Sequence, residues 1–171
     1  MSEYNYRQGR VDELEAIVSI DDAASDLYYQ AGLELDLGES HPFVEAESAR
    51  WMSALNQGLV HVAVDARGKL KGFAVFALLA GERYLDQISV HPDAMRQGVG
   101  TRLLKLAINW SDSRPLWLTT YSHLAWNKPY YEKHGFVEVP ETVCSAEIQS
   151  ILRDQRAYLP DADKRIAMVH K

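Results

Sequence analysis

Cysteine is nearly absent from this chain: Cys144 stands alone among 171 residues. An internal disulfide is therefore excluded, and the count suits a reducing cytoplasm. Cys144 itself reads as a small buried hydrophobe rather than a nucleophile. Long apolar runs are missing too, which excludes a membrane-spanning helix. The opening MSEYNYRQGR has no basic stretch followed by an apolar one, so no signal peptide is expected. There is no basic excess: 18 Lys and Arg against 24 Asp and Glu leave a net charge of −6. That balance argues against a nucleic-acid partner; it gives solubility and is compatible with a cationic acceptor. His41, His61, His91, His134 and His170 are scattered, without the spacing of a metal site. No Gly-x-Ser-x-Gly elbow occurs, so a serine hydrolase finds no support. The Gly-Lys-Ser/Thr of a nucleotide P-loop is also missing.

What is present fits one globular domain over residues 1–171, with 47% hydrophobic and 25% charged residues. Residues 4–8 read as a strand and Val11–Ala31 as a helix with Leu14, Ile17, Val18 and Leu27 on one side. A Gly- and Pro-punctuated connector, Gly32–Pro42, leads to a helix over Val44–Gln57, closed by Gly58. Leu59–Val64 and Gly72–Leu79 form a hairpin around Asp65–Gly68, and Arg83–Val90 is the next strand. A helix follows Gly100, with Leu103, Leu104, Ala107, Ile108 and Trp110 inward and Arg102, Lys105 and Asn109 outward. Then come a strand over Leu116–Tyr121, a helix over Trp126–His134 and a strand over Phe136–Val139. A helix over Ser145–Tyr158 and a strand over Arg165–His170 complete the reading. The order predicts an α/β (α+β) domain with a mixed, mostly antiparallel sheet and one parallel pair across the glycine loop.

That loop is the most informative stretch. A strand ends at His91-Pro92, a polar segment follows, and Gly98 and Gly100 run straight into an amphipathic helix. Consecutive main-chain N–H groups at the positive end of a helix dipole make an anion site. The glycines let the anion approach closely, and Arg96 adds charge. A dinucleotide fingerprint fails, because its third glycine position is Leu103.

Met95-Arg96-Gln97-Gly98-Val99-Gly100 resembles the acyl-CoA diphosphate loop of the GCN5-related N-acetyltransferases, in which a Gln or Arg is followed by two residues, Gly, one residue, and Gly or Ala. Met95 departs from the first position, and Arg96 supplies the charge one residue later. A second stretch, Ala125–Val139, resembles the family's other signature through Asn127, Tyr131, Glu132, Lys133, Gly135 and Phe136. Together the two cover roughly Leu59–Val139.

The resemblance implies an acetyl-CoA-dependent N-acetyltransferase that acts by direct transfer in a ternary complex. The amides of Arg96, Gln97, Gly98, Val99, Gly100 and Thr101 would grip the diphosphate. Main-chain groups of Ile88, Ser89 and Val90 would meet pantetheine and the thioester carbonyl, and Asn127 would bind pantetheine or start the next helix. Tyr131 stands where the family's tyrosine protonates the departing sulfur. The acceptor amine must lose a proton, since an alkyl ammonium titrates near a pKa of about 10.4. Asp86 and His123 are the candidate bases; an ion pair for Asp86 and plain exposure for His123 are the alternatives. Tyr28, Tyr29, Trp51, Tyr121 and Trp126 are candidate acceptor walls or core. A small-molecule amine is the expected acceptor, with a protein N-terminus or lysine less favoured. A homodimer follows from family resemblance. A non-catalytic acyl-CoA-binding or sensor domain with the same cradle is the alternative reading.

Overall fold

A computed structural model of the chain describes residues 3–34, 37–38 and 40–171. The strands are β1 (Asn5–Gln8), β2 (Val60–Val64), β3 (Leu70–Leu79), β4 (Glu82–Val90), β5 (Leu116–Tyr121), β6 (Phe136–Val139) and β7 (Arg165–His170). They form one sheet in the order β1-β2-β3-β4-β5-β7-β6. Every neighbouring pair is antiparallel except β4 and β5. The helices are α1 (Leu14–Ala24), α2 (Asp26–Gln30), α3 (Pro42–Asn56), α4 (Val99–Ser111), α5 (Lys128–Lys133) and α6 (Ala146–Tyr158). The mixed sheet and the single parallel pair are those expected from the sequence.

Alternation along the strands decides which helix covers which face. On β3, Phe73 and Val75 pack with Ile17, Ile20, Trp51 and Leu55 of α1 and α3. Ala74 and Phe76 point the other way, to Val99, Leu103, Leu104 and Ala107 of α4. The α6 residues Ile148 and Leu152 bury Tyr84, Cys144 and Ala167. Gly72 shows how tightly α4 sits: a Cβ there would lie 3.0 Å from Val99 Cγ1 and 3.2 Å from Leu103 Cδ1.

Two expected helices differ from those observed for local reasons, while the other expected bounds hold to within two residues. The single helix expected over Val11–Ala31 begins as a 3-10 turn (Val11–Glu13) and breaks at Ser25 between α1 and α2. There Ser25 Oγ donates to the Asp22 carbonyl at 2.6 Å, competing with the helical ladder. The helix expected over Trp126–His134 is shorter because Asn127 has φ −113° and ψ −108°, outside the helical region. Pro129 then sits in the first turn of α5, where its missing N–H costs nothing. Residues 35, 36 and 39 of the expected connector lie outside the described residues.

One irregularity shapes everything downstream. Between Val75↔Gln87 and Phe76↔Leu85 the β3–β4 register shifts by one residue, leaving Asp86 as the extra member. Leu85 faces α4; after the bulge Ile88 and Val90 also face α4, while Gln87 and Ser89 turn toward α1.

Candidate active site

The sheet itself opens the site. β4 and β5 pair only at Arg83↔Leu116 and Tyr84↔Trp117. From Leu85 to Val90, β4 therefore has no strand on that side, and a cleft of about 680 Å³ occupies the split. Its walls are the end of β4, the loop before α4, the α1–α2 junction and the start of α5.

The loop is held in a fixed shape. Asp93 accepts from Lys71 Nζ at 2.8 Å, and its carbonyl accepts from Gln97 Nε2 at 3.1 Å. Arg96 and Gly98 both take positive φ, 63° and 82°. Glycine suits position 98 because the left-handed backbone strains any other residue, although a Cβ would meet nothing within 4 Å. The first helical carbonyl bond runs from Arg102 N–H to Gly98 O at 3.0 Å. The N–H groups of Gly98, Val99, Gly100 and Thr101 thus donate to no backbone carbonyl among the described residues. Four amides at the N-terminus of a 13-residue helix make a ready anion cradle.

Further along the cleft, two buried side-chain donors stand without partners: Asn127 Nδ2 and Trp126 Nε1. Asn127 is 5% exposed, and its Oδ1 accepts from Thr120 Oγ1. The side chain does not cap α5, so the helix-starting alternative for it fails. Amides, unpartnered donors and close-approach glycines together fit a ligand with a diphosphate at one end and amide-bearing chain at the other.

Tyr131 is buried, lines the cleft, and packs its ring on Phe136 and Tyr130. No protein group hydrogen-bonds its hydroxyl among the described residues, and burial pushes its phenol well above the ordinary range. It therefore stays protonated at every physiological pH. Tyr130 differs: its hydroxyl is tied to Thr101 Oγ1 at 2.9 Å.

The expected site residues divide cleanly. Ile88, Ser89, Val90, Arg96, Gly98, Val99, Gly100, Thr101, Asn127 and Tyr131 all line the cleft. Gln97 belongs to the loop, but its side chain is taken up by Tyr4 Oη at 2.9 Å and the Asp93 carbonyl. Asp86 sits at the bulge, gripped by Arg50 of α3 through Nε and Nη2 at 3.0 and 3.1 Å, the ion pair that was the alternative to its role as base. His123 is not brought into the cleft: it bonds Asp161 at 3.0 Å and edges onto Tyr121. Of the aromatic candidates, Tyr28 and Trp126 line the cleft and Tyr121 packs on Tyr28, whereas Trp51 is core against Phe73 and Tyr29 is exposed.

Sequence reading missed a group of carboxylates beside the cleft. Asp21 of α1 is half-buried and accepts from Ser89 Oγ at 2.7 Å and Gln87 Nε2 at 2.9 Å. Burial raises its pKa to about 6 despite those two bonds. Glu47 of α3 is raised to about 8, first by burial and then by the charge of Asp21, against the opposing pull of Arg50. A signal existed in the pattern: Ile17, Asp21 and Ala24 share the inward stripe of α1, as Glu47, Trp51 and Leu55 do on α3.

Residues 56–138 match the family model described as an acetyltransferase (GNAT) domain. A ribosomal protein bS18-alanine N-acetyltransferase of Escherichia coli K12 is 34% identical over 90 residues, half of this chain. The chain spans 61% of the length of that curated relative. Among solved structures, a GNAT-family acetyltransferase of Staphylococcus aureus Mu50 superposes with a TM-score of 0.71 at 13% identity, covering 98% of both chains. The PaiA N-acetyltransferase of Thermoplasma acidophilum, solved with coenzyme A, superposes at 0.67 with 17% identity over 99% of both chains.

Proposed function

The chain belongs to the GCN5-related N-acetyltransferase family, and we propose that it moves the acetyl group of acetyl-CoA onto the amino group of a small molecule, with both substrates bound at once. The supporting observation is the meeting of two features in one cleft: four unpaired amides at the start of α4, and the split between β4 and β5 with Tyr131 on its wall.

Acetyl-CoA supplies the activated thioester. The amides of Gly98–Thr101 hold its diphosphate, and main-chain groups of Ile88–Val90, unpaired on the β5 side, align the pantetheine and polarise the carbonyl. Asn127 Nδ2 and Trp126 Nε1 supply further donors along the same wall. The acceptor nitrogen forms the new C–N bond as the C–S bond breaks. Its proton passes to the carboxylate group around Asp86 and Glu47, and the sulfur takes a proton from Tyr131. Asp86 and Glu47 lie against Arg50 with Asp21 close to Glu47, so carboxylates outnumber cations here and this wall attracts a protonated amine before the transfer. His123, paired with Asp161, has no part in this step.

A second reading, acetylation of a protein N-terminal amine, is favoured by the likeness to the bS18-alanine N-acetyltransferase. The lone buried cysteine suits a cytoplasmic setting, and light scattering would test the homodimer that the family resemblance suggests.

Calorimetry with acetyl-CoA, followed by free-thiol detection on addition of small amines or an alanine-initiated peptide, tests the proposal. Heat followed by acceptor-dependent CoA release is expected. Absence of heat overturns the reading, and heat without release by any amine favours the acyl-CoA-binding alternative.

A further inference from the structure

Arg165 begins β7, directly across from Tyr121 at the end of β5. It is 8% exposed, yet no carboxylate among the described residues lies within ion-pair distance. Its guanidinium stacks 4.5 Å over the Tyr121 ring. Nη2 donates to Gln155 Oε1 at 2.9 Å and to Thr119 Oγ1 at 3.3 Å, both neutral. Nε is buried without any partner. The arginines at 7, 50 and 156 each meet a carboxylate, and all three are more exposed. Burial pulls the Arg165 pKa below its ordinary value, as expected for a cation stripped of water and given no anion.

Such a group is costly to keep unless something compensates it. Stacking on tyrosine offsets part of that cost, but a neutral ring and two neutral acceptors leave the charge itself unmatched. Its neighbours say where the missing anion would enter. The Tyr121 ring under Arg165 packs on Tyr28, with centroids 6.1 Å apart, and Tyr28 lines the cleft, so Arg165 lies one aromatic layer behind its wall. Tyr84, two residues before Asp86 on β4, bonds through its hydroxyl to Thr119 Oγ1 at 3.0 Å, the same oxygen that accepts from Arg165 Nη2. The carboxylates, reached through Ser89, and this guanidinium, reached through Tyr121 and Tyr28, thus stand behind the wall of the same cleft.

We propose that Arg165 binds a carboxylate of the acceptor, so that the substrate is an amino acid or another small amine carrying a carboxylate. This rests on the acetyltransferase reading above and deepens it. The amino group lies toward Asp86 and Glu47, and the carboxylate reaches past Tyr28 to the planar guanidinium, whose fork matches two carboxylate oxygens.

The test compares proteinogenic L-amino acids with their own carboxamides, which keep the amine and remove the negative charge. In the natural protein the best acid is expected to exceed its amide by roughly ten-fold or more in kcat/KM, mostly through KM. The same acid, and not its amide, should raise the melting temperature in the absence of acetyl-CoA. Arg165→Gln should erase both differences while leaving kcat on the amide and the acetyl-CoA Kd unchanged, and Arg165→Lys should restore part of the preference. Equal use of acid and amide, or no acid turned over or bound, overturns the carboxylate assignment. Should the Gln variant fail to fold, the comparison within the natural protein decides alone. Loss of acetyl-CoA heat would instead strike the parent reading, so the two failures are told apart.

Discussion

At the α4 end of the cleft the chain offers main-chain N–H groups from one contiguous loop. Toward α1 and β7 it offers side chains drawn from α1, α3, β4 and β7, separated by more than a hundred residues of sequence. A diphosphate, the ligand proposed for the donor end, needs only oriented amides and open space, so glycine and helix geometry suffice. In the proposed reaction the acceptor end would have to sort one amine from another, and that takes charged side chains held where water is scarce. Backbone recognition is built once by the fold; side-chain recognition is written over it.

The strongest way to break this contrast is to put a charge into the donor end. Gly100→Glu should leave the fold intact, because a Cβ at 100 meets only Val90 Cγ2 at 3.5 Å and Tyr130 Oη at 3.8 Å. It brings a carboxylate to the diphosphate site, and acetyl-CoA affinity measured by calorimetry should fall about a hundred-fold, roughly 2.7 kcal/mol. Unchanged affinity would remove the cradle.

The acceptor end should instead reveal itself in stability. Asp21 has a folded pKa of about 6 against an ordinary 3.8. The folded state therefore binds the proton more tightly than the unfolded chain, and stability falls as pH rises from about 4 to about 6 and stays lower above it. Asp21→Asn keeps an acceptor oxygen for Ser89 and Gln87 and avoids the charge. It should stabilise the protein by about 2 kcal/mol at pH 8 and by little at pH 4 in denaturant melts. A gain independent of pH would rule out the buried charge as its cause.

Tyr131→Phe sits at the seam of the two regions. It should lower kcat by roughly ten-fold, about 1.4 kcal/mol, with the acetyl-CoA Kd little changed. Intact turnover would release Tyr131 from acid catalysis. Smallest in magnitude, Glu47→Gln should flatten the rise of kcat/KM with pH near 8, since a base raised to about 8 becomes active only as pH climbs through that value. An unaltered profile would mean the amine arrives neutral without its help.

The same contrast explains what the sequence made legible. Met95–Gly100 and Asn127–Phe136 are short and contiguous, and their chemistry is backbone chemistry or one conspicuous tyrosine, so spacing alone located them. β5, β6 and β7 also came out at their observed bounds, because turns and alternation are local signals. Asp21 and Glu47 escaped because an acidic residue within an amphipathic helix looks solvated until the partner face is known. Asp86 was visible as a charge in an apolar strand, but its partner Arg50 lies 36 residues away on α3. Arg165 looked like the ordinary polar start of a strand, and only the pairing of β7 beside β5 buries it.

The extra residue in β4 carries one more consequence. Because the bulge already absorbs that residue, deleting a single codon at position 86 would let Leu85 run straight into Gln87 in regular pairing with β3, with the two sides of the strand kept as they are. Gln87 and Ser89 would still turn toward Asp21 and Ile88 and Val90 toward α4, but the carboxylate that grips Arg50 would be gone, and with it the local bend of the strand. Losing three nucleotides would thus remove a bend and an ion pair at one stroke, while sparing both sequence signatures of the family.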